Sequence, residues 1–186
     1  MNFIDSTLHL PPNCKVVYLG GGCFWGVEKL FSSFEGVIDT AAGYANGKDN
    51  IIPDYKRVCK GDTEYIETVR VVYKSPATFT ALIEALFSVI DLTAKNRQGG
   101  DIGAQYQSAV FFADSQGEKE GEKIFKKYSA GVEGFSVQFA PVKSFYKAEE
   151  YHQKYLEKNP SGYCHIRKEE IARAREVYKK LLQRGK

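Results

Sequence analysis

Apolar and polar positions change period several times along this chain, and the changes outline its elements. The β-rich run at 16–19 predicts a strand that stops at three glycines. Val27, Leu30, Phe31 and Phe34 then recur at helical spacing, with Gly36 read as the helix C-cap. A strand follows at 37–42, then a Gly- and Asn-containing loop at 43–54. Residues 66–73 alternate as a strand, and Ser75-Pro76 reads as N-cap and first-turn proline of a helix carrying Phe79, Leu82, Ile83, Leu86 and Ile90. After a second glycine-bearing loop at 96–103, the apolar run at 108–112 is a strand. The order β-α-β-β-α-β predicts an α+β fold, the ferredoxin-like split β-α-β sandwich. A C-terminal helical and loop extension follows: a helix at 115–128, a strand at 137–140, a short helix at 148–156 and a final helix at 168–183. Between the last two, Pro160 and Gly162 argue for an irregular, mobile loop at 159–164.

With 186 residues, 43% apolar and 13% aromatic, the chain can bury one core, so a single domain over 1–186 is expected, its core spanning 15–164. The net charge of +3 is spread as interleaved Lys, Arg, Asp and Glu, which excludes a phosphate-tracking stripe and makes nucleic acid an unexpected partner. Basic residues gather only around the last helix, at Arg167, Lys168, Arg173, Arg175, Lys179, Lys180, Arg184 and Lys186, and read as a solvated face. The N-terminal residues lack an export pattern and no apolar run suits a membrane span, so a cytoplasmic protein with no membrane partner is expected. There Cys14, Cys23, Cys59 and Cys164 are expected as thiols, each either a small core residue or a reactive group.

Cys23 follows a strand end and a glycine run and opens a helix, where unpaired backbone N–H groups and the helix dipole favour thiolate. Alone that setting fits a structural cysteine equally well; Phe24 and Trp25 beside the turn favour a site. Glu67 shares a strand face with Val69, Val71 and Tyr73, so burial should keep its carboxyl protonated, as a general acid requires, unless the strand begins later and Glu67 is solvated. Tyr55, Asp101 and Tyr106 lie in or beside the two loops, where hydroxyls can donate to a developing oxyanion, although either Tyr also suits a core edge. Cys164 follows Pro160 and Gly162, a place for a thiol that travels to meet Cys23 or for one with no task. Cys14 and Cys59 read as packing residues, and His9, His152 and His165 lack zinc-ligand spacing, so neither metal nor cofactor is expected.

Gly22-Cys23-Phe24-Trp25-Gly26 resembles the signature of the A-type peptide methionine sulfoxide reductases. The resemblance continues through Tyr55 to Thr63, Glu67, Asn96-Arg97-Gln98-Gly99, Asp101, Gly103, Gln105, Tyr106 and Ser108, then 148–156 and 159–164. It implies a catalytic domain in which Cys23 attacks the sulfoxide sulfur and Phe24 and Trp25 hold the substrate methyl group. Glu67 would protonate the oxygen with help from Tyr55 and Tyr106, and Asp101 would sit nearby. Cys23 would become a sulfenic acid, Cys164 would condense with it to a disulfide, and thioredoxin would reduce that disulfide. The implied substrate is methionine-S-sulfoxide, free or in proteins. Glu64-Tyr65-Ile66 replaces the family's usual Gly-His-Ala, Gly100 a usual Asn, and Ala104 and Gln107 a typical Thr and Arg. Residues 165–186 carry no second recycling cysteine, and the sole methionine is Met1, which suits work among oxidants.

Two other readings make different demands. A cysteine hydrolase would need His152 or His165 to activate Cys23. A module that only captures oxidised or unfolded peptides would need Phe24 and Trp25 but no thiol.

Overall fold

A computed structural model describes residues 5–184. β1 (Lys15–Gly20) leads into α1 (Phe24–Phe31), β2 (Val37–Ala45), a one-turn α2 (Tyr55–Val58), β3 (Ile66–Tyr73) and α3 (Phe79–Phe87). A hairpin of β4 (Arg97–Gln98) and β5 (Asp101–Ile102) and a 3-10 turn at Ala104–Tyr106 precede β6 (Ala109–Phe112). Then come α4 (Ser115–Gly131), β7 (Gln138–Pro141), β8 (Phe145–Lys147), α5 (Tyr155–Lys158) and α6 (Lys168–Arg184). The fold is mixed α+β, with a six-stranded sheet in the order β7-β6-β1-β3-β2-β8. Neighbouring strands are antiparallel except β6 and β7, which are parallel.

Strand alternation divides the core. Val17, Leu19, Val69, Val71 and Val110 pack in one buried cluster with Val27, Leu30 and Phe31 of α1 and Leu82, Ile83 and Leu86 of α3. Val16, Tyr18, Ile66, Val72 and Phe111 form a smaller cluster with Val142 and Phe145. On β3, Arg70 accordingly points away from Val69 and Val71. Its side chain is 6% exposed, and its Nη1 donates to both Asp5 carboxylate oxygens at 3.0 Å and to Thr7 Oγ1 at 2.9 Å. Tyr18 donates to Asp5 Oδ2 at 2.9 Å. The segment before β1 is thereby pinned to the sheet.

Several boundaries differ from the sequence expectation. α1 ends at Phe31 with Ser32 as its C-cap, because the chain bends to set Phe34 against Phe31 and Tyr178; Gly36, at φ +84°, makes the turn into β2 instead. β2 runs to Ala45, since it pairs with β8 as well as β3, and the long loop starts at Asn46. Thr78, not Ser75, caps α3 by accepting from Ala81 N–H at 3.1 Å, and the Ser75–Pro76 bond is cis in the preceding turn. The helix expected at 148–156 shrinks to Tyr155–Lys158. Gln153 spends its amide on Ala42 N–H and C=O and on Ala148 C=O, and Lys154 adopts φ 50°. Too short to show a period, α2, β4, β5 and β8 were missing from the sequence reading.

Cys14 packs against the smaller cluster, whereas Cys59 is exposed and is no packing residue. α6 buries Ala174 and Tyr178 and leaves Arg173, Arg175, Lys179 and Lys180 exposed. Among the described residues no helix is long and apolar enough to cross a membrane.

The pin at Asp5 makes a stability prediction. Asp5→Ala leaves the buried Arg70 guanidinium without its main counter-charge and should cost about 3 kcal/mol. Urea unfolding followed by circular dichroism should show a lower midpoint with an unchanged slope.

Candidate active site

β1 ends at Gly20, and the next three residues carry the chain over the sheet edge into α1. Gly22 has φ +85°, and a Cβ there would stand 2.6 Å from Cβ of Gln98, so the turn requires glycine. Cys23 is the N-cap of α1 and is 8% exposed. The adjacent Phe24 N–H donates to Glu67 Oε2 at 3.1 Å. Glu67 lies on the core face of β3 and is 2% exposed, so the solvated alternative is removed. Burial pushes its carboxyl up to about 8; the Phe24 N–H opposes this and Asp101 adds to it. Near neutral pH Glu67 is a protonated acid.

The expected thiolate at Cys23 is not what the site favours at rest. Burial, then the proximity of Glu67, pushes the thiol above its ordinary range, and the Trp25 backbone N–H only partly offsets this. The eight-residue α1 has already directed one first-turn donor to Glu67, and desolvation of a sulfur anion outweighs what remains of the helix-end field. Cys23 and Glu67 therefore form a neutral pair.

Tyr55 and Tyr106 join them. Burial is the main cause of the raised Tyr106 hydroxyl, and Glu67, Cys23, Tyr55 and Asp101 all contribute, which marks these five side chains as one neighbourhood. Tyr55 is raised first by burial, then by Cys59, to which its hydroxyl bonds, and by Glu67 and Cys23. Its backbone N–H donates to Glu149 Oε1 at 2.8 Å, while Tyr44 donates to Glu149 Oε2 at 2.9 Å.

An aromatic wall stands beside the thiol. Trp25 stacks on Tyr155 at 3.8 Å with 14° between planes, and its Nε1–H donates to His152 Nδ1 at 3.1 Å. The His152 ring is buried, 5.0 Å from Phe24 and 4.7 Å from Tyr55. Sequence reasoning gave Glu149 and Tyr155 no role and weighed His152 only as a zinc ligand or a base. The signal was available: the polar run 149–153 lacks the apolar period that its assignment to a helix required.

Cys164 is half-buried, with its thiol directed to Ile166 C=O at 3.0 Å, and a Cβ on Gly26 would stand 3.3 Å from its sulfur. Cys23 and Cys164 are both free thiols. Neither histidine is hydrogen-bonded to Cys23 among the described residues. His152 Nδ1 is taken by Trp25, and His165 Nε2 lies 2.8 Å from Gly21 C=O.

The departures from the family pattern have local partners. Tyr65 is buried and donates to Ile51 C=O at 2.9 Å, which braces the loop that leads to Tyr55. Gln107 accepts from Asn96 N–H at 2.7 Å and donates to Ser136 C=O at 2.8 Å, tying down the loop that carries Asp101.

A family model described as peptide methionine sulfoxide reductase matches residues 15–182. The chain belongs to this family. Among its relatives, the peptide methionine sulfoxide reductase MsrA of Mycoplasma genitalium is 46% identical over 158 residues, covering 82% of this chain and 98% of that protein. The MsrA of Clostridium acetobutylicum is 44% identical over 160 residues, covering 83% and 96%. Among solved structures, reduced Mxr1 of Saccharomyces cerevisiae superposes with a TM-score of 0.80 at 35% identity, covering 88% of this chain and 97% of that one. A second Mxr1 structure, in complex with Trx2, gives 0.56 at 25% identity, covering 82% and 92%. Among members of this reductase family, Trp25 is a useful probe here because it is the only tryptophan in the chain.

His152→Ala removes the acceptor for Trp25 Nε1–H and part of the ring wall. Tryptophan emission should shift to the red, and stability should fall by about 2 kcal/mol. Fluorescence-monitored denaturation reads both.

Proposed function

We propose that this chain is a peptide-methionine (S)-S-oxide reductase, an oxidoreductase that returns methionine-S-sulfoxide, free or in proteins, to methionine and so repairs oxidised proteins. The observation that carries the reading is a neutral Glu67 carboxyl bonded to the residue after Cys23. A sulfoxide oxygen is an acceptor that must gain a proton before it can leave sulfur. In this reading Glu67 supplies that proton and the Tyr55 and Tyr106 hydroxyls supply hydrogen bonds; their proximity to Glu67, Cys23 and Asp101 supports it. Trp25, backed by Tyr155 and His152, and Phe24 offer apolar surface to the substrate methyl group.

The Cys23 sulfur attacks the sulfoxide sulfur as Glu67 protonates the oxygen, and the thiol proton later restores Glu67. The bond between the two sulfurs then breaks as the hydroxyl moves from the substrate sulfur to the Cys23 sulfur, so that Cys23 is oxidised to a sulfenic acid and the substrate leaves reduced, as a thioether. The Cys164 thiol then attacks the Cys23 sulfur, an S–S bond forms, and the S–O bond breaks to release water. A dithiol donor reduces the disulfide. The Mxr1 complex with Trx2 supports thioredoxin in that role. The capture-only reading gives Glu67 and Cys164 no task.

We further read the central strands β6-β1-β3-β2 as the ferredoxin-like split β-α-β arrangement, the chain as a single catalytic domain, and its location as cytoplasmic; the strand order and the bacterial relatives support these readings.

Because the Glu67 carboxyl is raised, its proton is present below about pH 8 and lost above it. Methionine release in a single turnover should fall as pH rises through that value. Glu67→Gln should lower the rate by about a hundredfold or more and abolish that limb. A flat wild-type profile across this range counts against Glu67 as the acid.

Treatment with a single equivalent of S-sulfoxide, followed by mass spectrometry, should show Cys23 linked to Cys164. Cys164→Ser should release methionine once and then recycle poorly with thioredoxin, whereas Cys23→Ser should be inactive. An unmodified wild-type protein after treatment would sink the cycle.

A further inference from the structure

His165 adjoins the resolving cysteine and has no part in the cycle above. Its side chain is 5% exposed. A carbonyl oxygen can only accept, so the 2.8 Å contact with Gly21 C=O places a proton on Nε2, which donates. Gly21 lies two residues before Cys23, so this hydrogen bond joins the Cys164 loop directly to the turn that presents the attacking sulfur. Two glycines make room for the ring. A Cβ at Gly22 would stand 3.0 Å from His165 Nε2, and one at Gly26 would stand 2.9 Å from Cε1 and 3.0 Å from Nδ1. The Gly26 position is also flanked by the Cys164 sulfur at 3.3 Å. Imidazole and thiol are thus seated side by side against the first turn of α1. On its other side Nδ1 faces Asp101 Oδ2 at 4.0 Å, and neither atom has a hydrogen-bond partner among the described residues.

We propose that His165 is a positioning residue for the resolving step: through its Nε2–H to Gly21 C=O it clasps the Cys164 loop to the Cys23 turn, so that the second thiol is near when the sulfenic acid forms. The inference rests on the Cys23 to Cys164 reading given above. It assigns His165 no contact with substrate. The clasp converts an encounter between two loops into one within a fixed frame, where orientation rather than thiol chemistry limits the S–S bond formation. Cys164 must leave only its contact with Ile166 C=O to attack, while the residue between them stays fixed.

Rapid-quench measurement of methionine release and of disulfide formation, on full-length enzyme given a single equivalent of sulfoxide, separates the two steps. In His165→Ala, methionine should be released at the wild-type rate. Disulfide should appear about tenfold more slowly, the loss expected from one positioning hydrogen bond, with sulfenic acid trapped by dimedone in the interval. His165→Gln can replace the Nε2–H donor with its amide and should recover most of the disulfide rate. Disulfide formation within twofold of wild type in His165→Ala would overturn the clasp. Equal slowing of both steps would also overturn it, because His165 would then serve the Cys23 turn alone, and so would failure of Gln to rescue. Absence of a Cys23 to Cys164 link in wild type is a separate result, which removes the cycle itself.

Discussion

The site depends on one carboxylic acid kept out of water. Glu67 occupies a position on β3 that its neighbours fill with valine, and among the described residues its carboxyl accepts one hydrogen bond, from the N–H of Phe24 at the start of α1. That bond joins the sheet to the residue following the thiol, and the desolvation that raises the acid also raises Cys23. An ionised pair would place two negative groups together in a poorly solvated pocket. A neutral pair costs less and keeps two protons within the site. In the proposed reaction, attack by Cys23 and protonation by Glu67 go together, because the site disfavours charge on either group at rest.

The surrounding polar groups serve this burial. Glu149 takes the Tyr44 hydroxyl and the Tyr55 N–H, Gln153 fixes the β2 backbone at Ala42, and Glu28 accepts from Lys154 N–H at 2.7 Å. Together they hold the irregular segment 149–155 against the sheet, so that Tyr155 meets Trp25 and His152 meets its indole. A helix in this segment would have directed these side chains along one face at intervals of three and four. Turns allow nearly consecutive residues to reach different walls of one pocket.

Much of this was legible in sequence because it followed period and neighbourhood. The alternation of β3 put Glu67 on the core face, and α1 and α3 were found in place by their apolar faces, although their ends lay elsewhere. Tyr55, Tyr106 and Asp101 were placed by their loops and are neighbours in space. What was lost was lost for physical reasons. A helix N-terminus at Cys23 suggested an anion, but sequence carries no measure of desolvation, which reverses the outcome. Two-residue strands cannot display alternation, and Gln153 bonding to Ala42 is a contact across 111 positions that no local window contains. Cys59 lies in a run that matches the family and gave no hint of exposure.

The C-terminal helix fixes the chain that follows Cys164. α6 is fixed by Tyr178, which donates to Glu35 C=O at 2.6 Å and packs on Phe34, and by Arg173 and Arg175 reaching Ser88 C=O and Ser33 Oγ. The segment after Cys164 is thus anchored at both ends, by Ile166 buried near the site and by α6 against α3 and the α1–β2 turn. In the proposed cycle the Cys164 loop is therefore held from two sides, by this anchored segment and by Tyr163, which bonds to Asp101 of the β4–β5 hairpin.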